Sequence, residues 1–223
     1  MKKTVFAIFF ATAVFLSCGN TPPELKQIYS EINFLNIPGS ENVRSEMLVL
    51  VNADDEDGDD DITGIHIIND SEQMSWDLDS SIWKTRDSRG MKWTGSQRLT
   101  TVDGSMPKAG EYRVLVVDRA GERVEESVFF PLIKNPPSPA DFAELIFQDE
   151  QAIELKSPQE RNIISFYDSE GKLLGAYAAT PGLIRINKLR DGSAVAEKYS
   201  TVKVSYYSNL IGAGLISGFY EKP

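Results

Sequence analysis

One cysteine and one histidine in 223 residues leave little catalytic chemistry to choose from. A disulfide framework, a His-based zinc site and a Cys–His nucleophile pair are all out of reach within one chain. Positive charge is scarce as well: 23 Lys and Arg stand against 33 Asp and Glu, a net charge of -10. That balance argues against a nucleic-acid partner, which needs clustered cations to neutralise phosphates. There is no Gly-x-Ser-x-Gly elbow and no phosphate-cradling Gly loop at a strand–helix junction. The scattered carboxylates single out no glycosidase pair. No long segment carries the 3.6-residue period of an amphipathic helix. What is present is 41% hydrophobic and 10% aromatic content, enough for a packed core. The length suits one large or two small domains.

The N-terminus reads as an address. Lys2 and Lys3 precede an apolar run from Val5 to Leu16 that only Thr12 interrupts. Twelve helical residues reach about 18 Å, short of a bilayer core of about 30 Å, so the run reads as a secretory signal peptide over residues 1–17. Phe15-Leu16-Ser17-Cys18 resembles a bacterial lipobox, with Phe15 where Leu is preferred. That departure is similar to the looser lipoboxes of spirochaetes and the Bacteroides group. The resemblance implies diacylglycerol on the Cys18 thiol, a membrane partner through this anchor, and a place in the cell envelope, at the outer membrane or cell surface. The alternative is ordinary cleavage that leaves a free thiol. With Cys18 lipidated the body has no thiol left, and folding rests on burial alone.

Residues 18–23 read as a polar tether ending in Pro22-Pro23. A second break, Lys134-Asn135-Pro136-Pro137-Ser138-Pro139, cannot continue a strand ladder and sets a linker at 134–139. Strand signals dominate on both sides of it. Met47 to Val51, Ile62 to Ile68, and the hairpin of Tyr112–Val117 and Val124–Phe130 fall in the first part. The hairpin of Asn162–Tyr167 and Lys172–Ala178, with Leu183–Ile186, Thr201–Tyr207 and Leu215–Tyr220, falls in the second. Pro23 to Ile32 fits a short helix or a first strand equally, and Ala140 to Phe147 is a second helix candidate. Arg123, Glu125 and Glu126 fit the charges that protect a sheet edge. The expected fold is all-β: two tandem immunoglobulin-like or fibronectin-III-like sandwiches, at about 22–133 and 140–223.

Trp93-Thr94-Gly95-Ser96, Leu99, Pro107, Gly110, Tyr112, Val114, Asp118 and Gly121 resemble the closing strands of bacterial extracellular Ig-like domains, a Gly-x-Tyr strand leading into an Asp-x-x-Gly turn. Together with the lipobox, the chain resembles spirochaetal-type envelope lipoproteins with Ig-like modules. The motif covers about 30 residues and speaks to fold rather than ligand.

The densest feature is Asp54-Asp55-Glu56-Asp57-Gly58-Asp59-Asp60-Asp61. An EF-hand register on Gly58 places Ala53 first and Gly64 last, where acids belong, and fails. A looser calcium pattern remains in Asp55, Asp57 and Asp61, directly ahead of the Ile62 strand; the competing reading is a solvated, self-repelling loop. Trp76, Trp83 and Trp93 fit either a sandwich core or an exposed platform for sugar rings. His66, in an Ile-rich strand, fits packing or solvent exposure better than catalysis. The expected function is non-catalytic: a lipid-anchored envelope protein presenting β-sandwiches for protein binding or assembly. Its rivals are a glycan-binding module and an accessory protein of an envelope hydrolase.

Overall fold

In a computed structural model the structure describes residues 21–58 and 60–223. The run read as a signal segment, Cys18 and Asp59 lie outside the described residues. The first part contributes β1 Glu24–Asn36, β2 Val43–Asp54, β3 Ile62–Asn69, β4 Met74–Leu78, β5 Lys84–Ser88, β6 Met91–Leu99, β7 Gly110–Asp118 and β8 Arg123–Phe130. After a 3-10 turn at Pro139–Asp141 follow β9 Glu144–Asp149, β10 Ala152–Lys156, β11 Asn162–Tyr167, β12 Leu173–Ala179 and β13 Gly182–Arg185. A short helix, α1 Gly192–Lys198, precedes β14 Thr201–Ser208 and β15 Ala213–Glu221. The all-β expectation holds. Pro23 to Ile32 resolves as strand β1, and Ala140 to Phe147 as the 3-10 turn running into β9.

Alternation explains which strands form the core. In β2, Ser45, Met47, Val49 and Val51 are buried in turn. Tyr112, Val114, Val116 and Asp118 do the same in β7, and Val202, Val204, Tyr206 and Ser208 in β14. Each period-2 row puts β-branched and aromatic side chains on one pleated face. Tyr112 is fully buried, meets Phe130 edge-on at 4.9 Å between ring centroids, and donates its hydroxyl to the Lys108 carbonyl at 2.8 Å. This back-bond from a Gly-x-Tyr strand is the corner found in Ig-type sandwiches.

Among the described residues the sheets are three. One has eight strands in the order β12-β11-β14-β15-β1-β2-β6-β5; the others are β4-β3-β7-β8 and β13-β10-β9. The four-stranded sheet covers the β1-β2-β6 half, where the Trp76 indole N–H reaches the Thr100 carbonyl. The three-stranded sheet covers the other half, where Tyr199 and Tyr220 donate to the Glu150 and Ala143 carbonyls. The long sheet runs through both halves because β1 is flanked on both sides. It pairs antiparallel with β2 along its length and parallel with β15 over Asn33–Asn36. Arg123, Glu125 and Glu126 lie on β8, an edge strand, as their charge suggested.

Candidate functional site

Two places gather side chains in ways the core does not require. The first lies where the four-stranded sheet faces the β2 end of the eight-stranded sheet. Asp55 follows β2 in the long sheet, Asp61 precedes β3 in the facing sheet, and Asp118 ends β7 opposite Ile62. Folding brings one carboxylate oxygen from each within 4.8 Å of the others. Asp55 and Asp118 are buried, at 8% and 2% exposure. One oxygen of each holds its own turn: Asp55 Oδ1 accepts from the Asp57 amide at 2.9 Å, and Asp118 Oδ1 from the Glu122 amide at 2.8 Å. The second oxygen of each is enclosed and has no donor among the described residues. The guanidinium of Arg119 stands 3.6 Å from Asp61, but it is 71% exposed.

Of the acids singled out by spacing, the structure brings Asp55 and Asp61 together. Asp57 is exposed, and its carboxylate accepts from the Thr21 amide at 3.3 Å instead. Asp118 was missed, being 57 residues along the chain from Asp61. Its position carried a signal nonetheless. It falls in phase with Tyr112, Val114 and Val116, and Asp55 falls in phase with Val49 and Val51, so both acids sit on core-facing parity.

The three tryptophans are all half-buried. Trp76 and Trp83 pack against the core, and Trp76 stacks on Tyr112 at 6.2 Å. Trp83 lines a cavity of about 170 Å³ with Val51, Ile65 and Thr94. Trp93 pairs with Arg86 across β5 and β6. His66 stands on the solvent side of β3, with Nδ1 2.6 Å from an Asp77 carboxylate oxygen.

The second place is the outward face of the eight-stranded sheet, and sequence reasoning did not find it. Two of the bulges in its ladders shape this face. Opposite Leu48, β6 accommodates Gln97 and Arg98 between the pairs Met47–Leu99 and Val49–Ser96. Opposite Lys203, β15 accommodates Gly218 and Phe219 between the pairs Val202–Tyr220 and Val204–Ser217. Bulges re-aim side chains. Here they bring Arg98, Phe219 and Lys203 to one groove of about 290 Å³ that crosses the β1–β15 seam.

Phe219 takes φ +61, the left-handed region that bulky side chains avoid. Its ring lies 4.1 Å from the Lys203 ammonium and 6.0 Å from the Arg98 guanidinium; Tyr167 approaches the same ammonium at 4.9 Å. Burial brings Lys203 down to about 8, with Arg98 adding to the shift and Glu46 opposing it. Burial likewise raises Glu46 above the usual carboxylate range. Exposed Tyr29, Ile163, Leu173, Tyr207 and Phe219 extend the face on both sides of the seam.

No family model and no curated protein matches this sequence. Among solved structures the chain is similar to Tp47, the 47-kilodalton lipoprotein of Treponema pallidum, at 9% identity and a TM-score of 0.35, over 88% of this chain and 50% of that one. It is similar to dimeric latent PorU from Porphyromonas gingivalis at 13% identity and a TM-score of 0.36, over 92% and 21%. A complex of Dpr11 IG1 with DIP-gamma IG+IG2 matches at 8% identity and a TM-score of 0.26, over 88% and 98%. The chain therefore spans half the length of the Tp47 chain and a smaller part of PorU. Likenesses this distant carry no argument about what the chain does.

Proposed function

We propose that this chain is a non-catalytic, lipid-anchored protein of the bacterial cell envelope that binds a partner protein across the outward face of its eight-stranded sheet. The observation that carries the reading is the strained Phe219 at its bulge, holding a half-buried Lys203 beside Arg98. A residue kept at positive φ costs on the order of 1–3 kcal/mol and persists where function selects it. In a chain of net charge -10, a groove with Arg86, Arg98 and Lys203 around Glu46 is a local reversal of sign. Flanked by exposed aromatic and aliphatic side chains, it suits a protein segment carrying carboxylates and apolar residues together. Strand β12 ends the same sheet, and its sequence Leu-Leu-Gly-Ala-Tyr-Ala-Ala holds no charge. The charged edges β5 and β8 contrast with it, so a partner strand meets least repulsion there. The glycan reading has weaker support, because each tryptophan is half-buried.

The test is a photo-crosslinking amino acid placed at Ile163 or Tyr207, on the face, and at Leu132 or Val102, which are exposed elsewhere. In the cells that make the protein, the face positions should give a discrete protein adduct that Lys203→Glu with Arg98→Glu abolishes. Equal adducts from Leu132 and Val102, or an adduct insensitive to the charge reversal, would remove this face as the binding surface.

A further inference from the structure

The carboxylate cluster between the four-stranded sheet and the β2 end of the eight-stranded sheet points to a ligand of its own, independent of the sheet-face reading. We infer that Asp55, Asp61 and Asp118 form a calcium site that ties these two sheets together.

Two of these acids, Asp55 and Asp118, are buried. A carboxylate withdrawn from water needs compensation for both oxygens. Asp55 and Asp118 each have one oxygen satisfied by a backbone amide, while the other is enclosed without a donor among the described residues. A second buried acid beside the first makes the demand for positive charge larger. The Arg119 guanidinium stands beside Asp61 and also donates to the Asp60 carbonyl, but it is mostly in solvent. A solvated loop explains exposed Glu56, Asp57 and Asp60; it does not explain carboxylates at 2% and 8% exposure.

The oxygen donors and their spacing suit a hard cation. Calcium holds oxygens at 2.3–2.6 Å, so oxygens on one calcium shell lie up to about 5 Å apart. The three carboxylate oxygens, all within 4.8 Å of one another, meet that span. An all-oxygen donor set suits a hard cation, and backbone carbonyls and water complete a flexible shell. Magnesium, held at 2.0–2.1 Å in a near-ideal octahedron, is served less well by three carboxylates fixed to separate strands. The ligands come from the end of β2, the start of β3 and the end of β7, so the ion would join the long sheet to its facing sheet.

The test uses the full-length protein in detergent, titrated with calcium chloride up to tens of millimolar against magnesium chloride at equal ionic strength. Calcium should bind once per chain and raise the melting midpoint by about 5–10 °C near 100 times Kd, with Kd in the range of about 0.1–1 mM. Asp118→Asn and Asp55→Asn, which preserve shape and the backbone hydrogen bond, should lose the calcium response. Asp57→Asn should keep it in full. If Asp118→Asn fails to fold, the less buried Asp61→Asn carries the same expectation. Equal responses to the two cations, or a response abolished by Asp57→Asn and retained in Asp118→Asn, would overturn the site and leave an acidic loop that attracts cations by charge alone.

Discussion

Asn33 and Gly214 face each other as register partners at the first step of the parallel pairing between β1 and β15. A Cβ on Gly214 would overlap the Asn33 side-chain oxygen and crowd Glu31. Asn33 is itself buried, so it has little room to turn aside. Gly214→Ala should therefore cost about 1–3 kcal/mol, a fall in melting midpoint of roughly 2–4 °C per kcal/mol for a chain of this size. Adding Asn33→Ala should recover part of the loss, a coupling that a double-mutant cycle reads directly. Additive losses would mean that the seam tolerates the extra methyl without meeting Asn33.

The Tyr112 hydroxyl supports the corner before β7 by its bond to Lys108. Tyr112→Phe keeps the ring against Phe130 and deletes the hydroxyl that makes that bond. The expected cost is about 1–2 kcal/mol, since the acceptor is left to find another partner. Urea unfolding checks it, with an unchanged m-value showing that the native packing survived.

Lys203 gives stability a pH dependence of defined sign. In the native chain it loses its proton near pH 8, whereas in the unfolded chain it keeps it to about 10.5. Between those values the unfolded state holds more protons at this site, so stability rises with pH. Tyr199 and Tyr206 work the other way. Burial holds both up to about 12 from an ordinary value of 10, so stability falls once the unfolded tyrosines ionise above pH 10. Urea midpoints across pH 7–11 should pass through a maximum between about pH 8 and 10. Lys203→Met should flatten the rising limb and leave the falling one. A rising limb unchanged in that variant would assign it to another group.

The proposed anchoring through Cys18 has a direct readout. Cys18→Ser should abolish metabolic labelling with fatty acid and move the protein from the detergent phase to the aqueous phase on cloud-point separation. Retention in the detergent phase would point to the run from Val5 to Leu16 as a persisting membrane helix.

How much of this was legible in sequence depends on how each element is stabilised. Strands β2, β3, β7 and β14 announced themselves because their own side chains fill the core, so burial and β-propensity point the same way. Strand β5 is exposed at all five positions, Lys84 to Ser88, and exists only because β6 offers it a ladder. Nothing local marks such a strand. Helix α1 is seven residues long and begins after Asp191 in the left-handed region, too short for a periodic signal.

The same division governs the sites. Asp55 and Asp61 stood out by density, while Asp118 comes from a distant strand end and needed the fold to join them. Asp57 was favoured by spacing within the loop, but the turn directs it outward. The groove was invisible because Arg98 and Phe219 reach it through bulges, and a bulge shifts the alternation on which sequence reading depends.

The continuous sheet also determines how the molecule bears a mechanical load. Traction applied at residue 21 enters β1 almost at once. From Glu24 to Ile32 that strand is clasped by β2 alone; from Asn33 to Asn36 it is clasped by β2 and β15 together. Tension along the strand axis must then shear a ladder whose bonds resist at the same time, rather than open them one by one. The pull divides at the seam between β2 and β15, so neither half of the long sheet carries it alone.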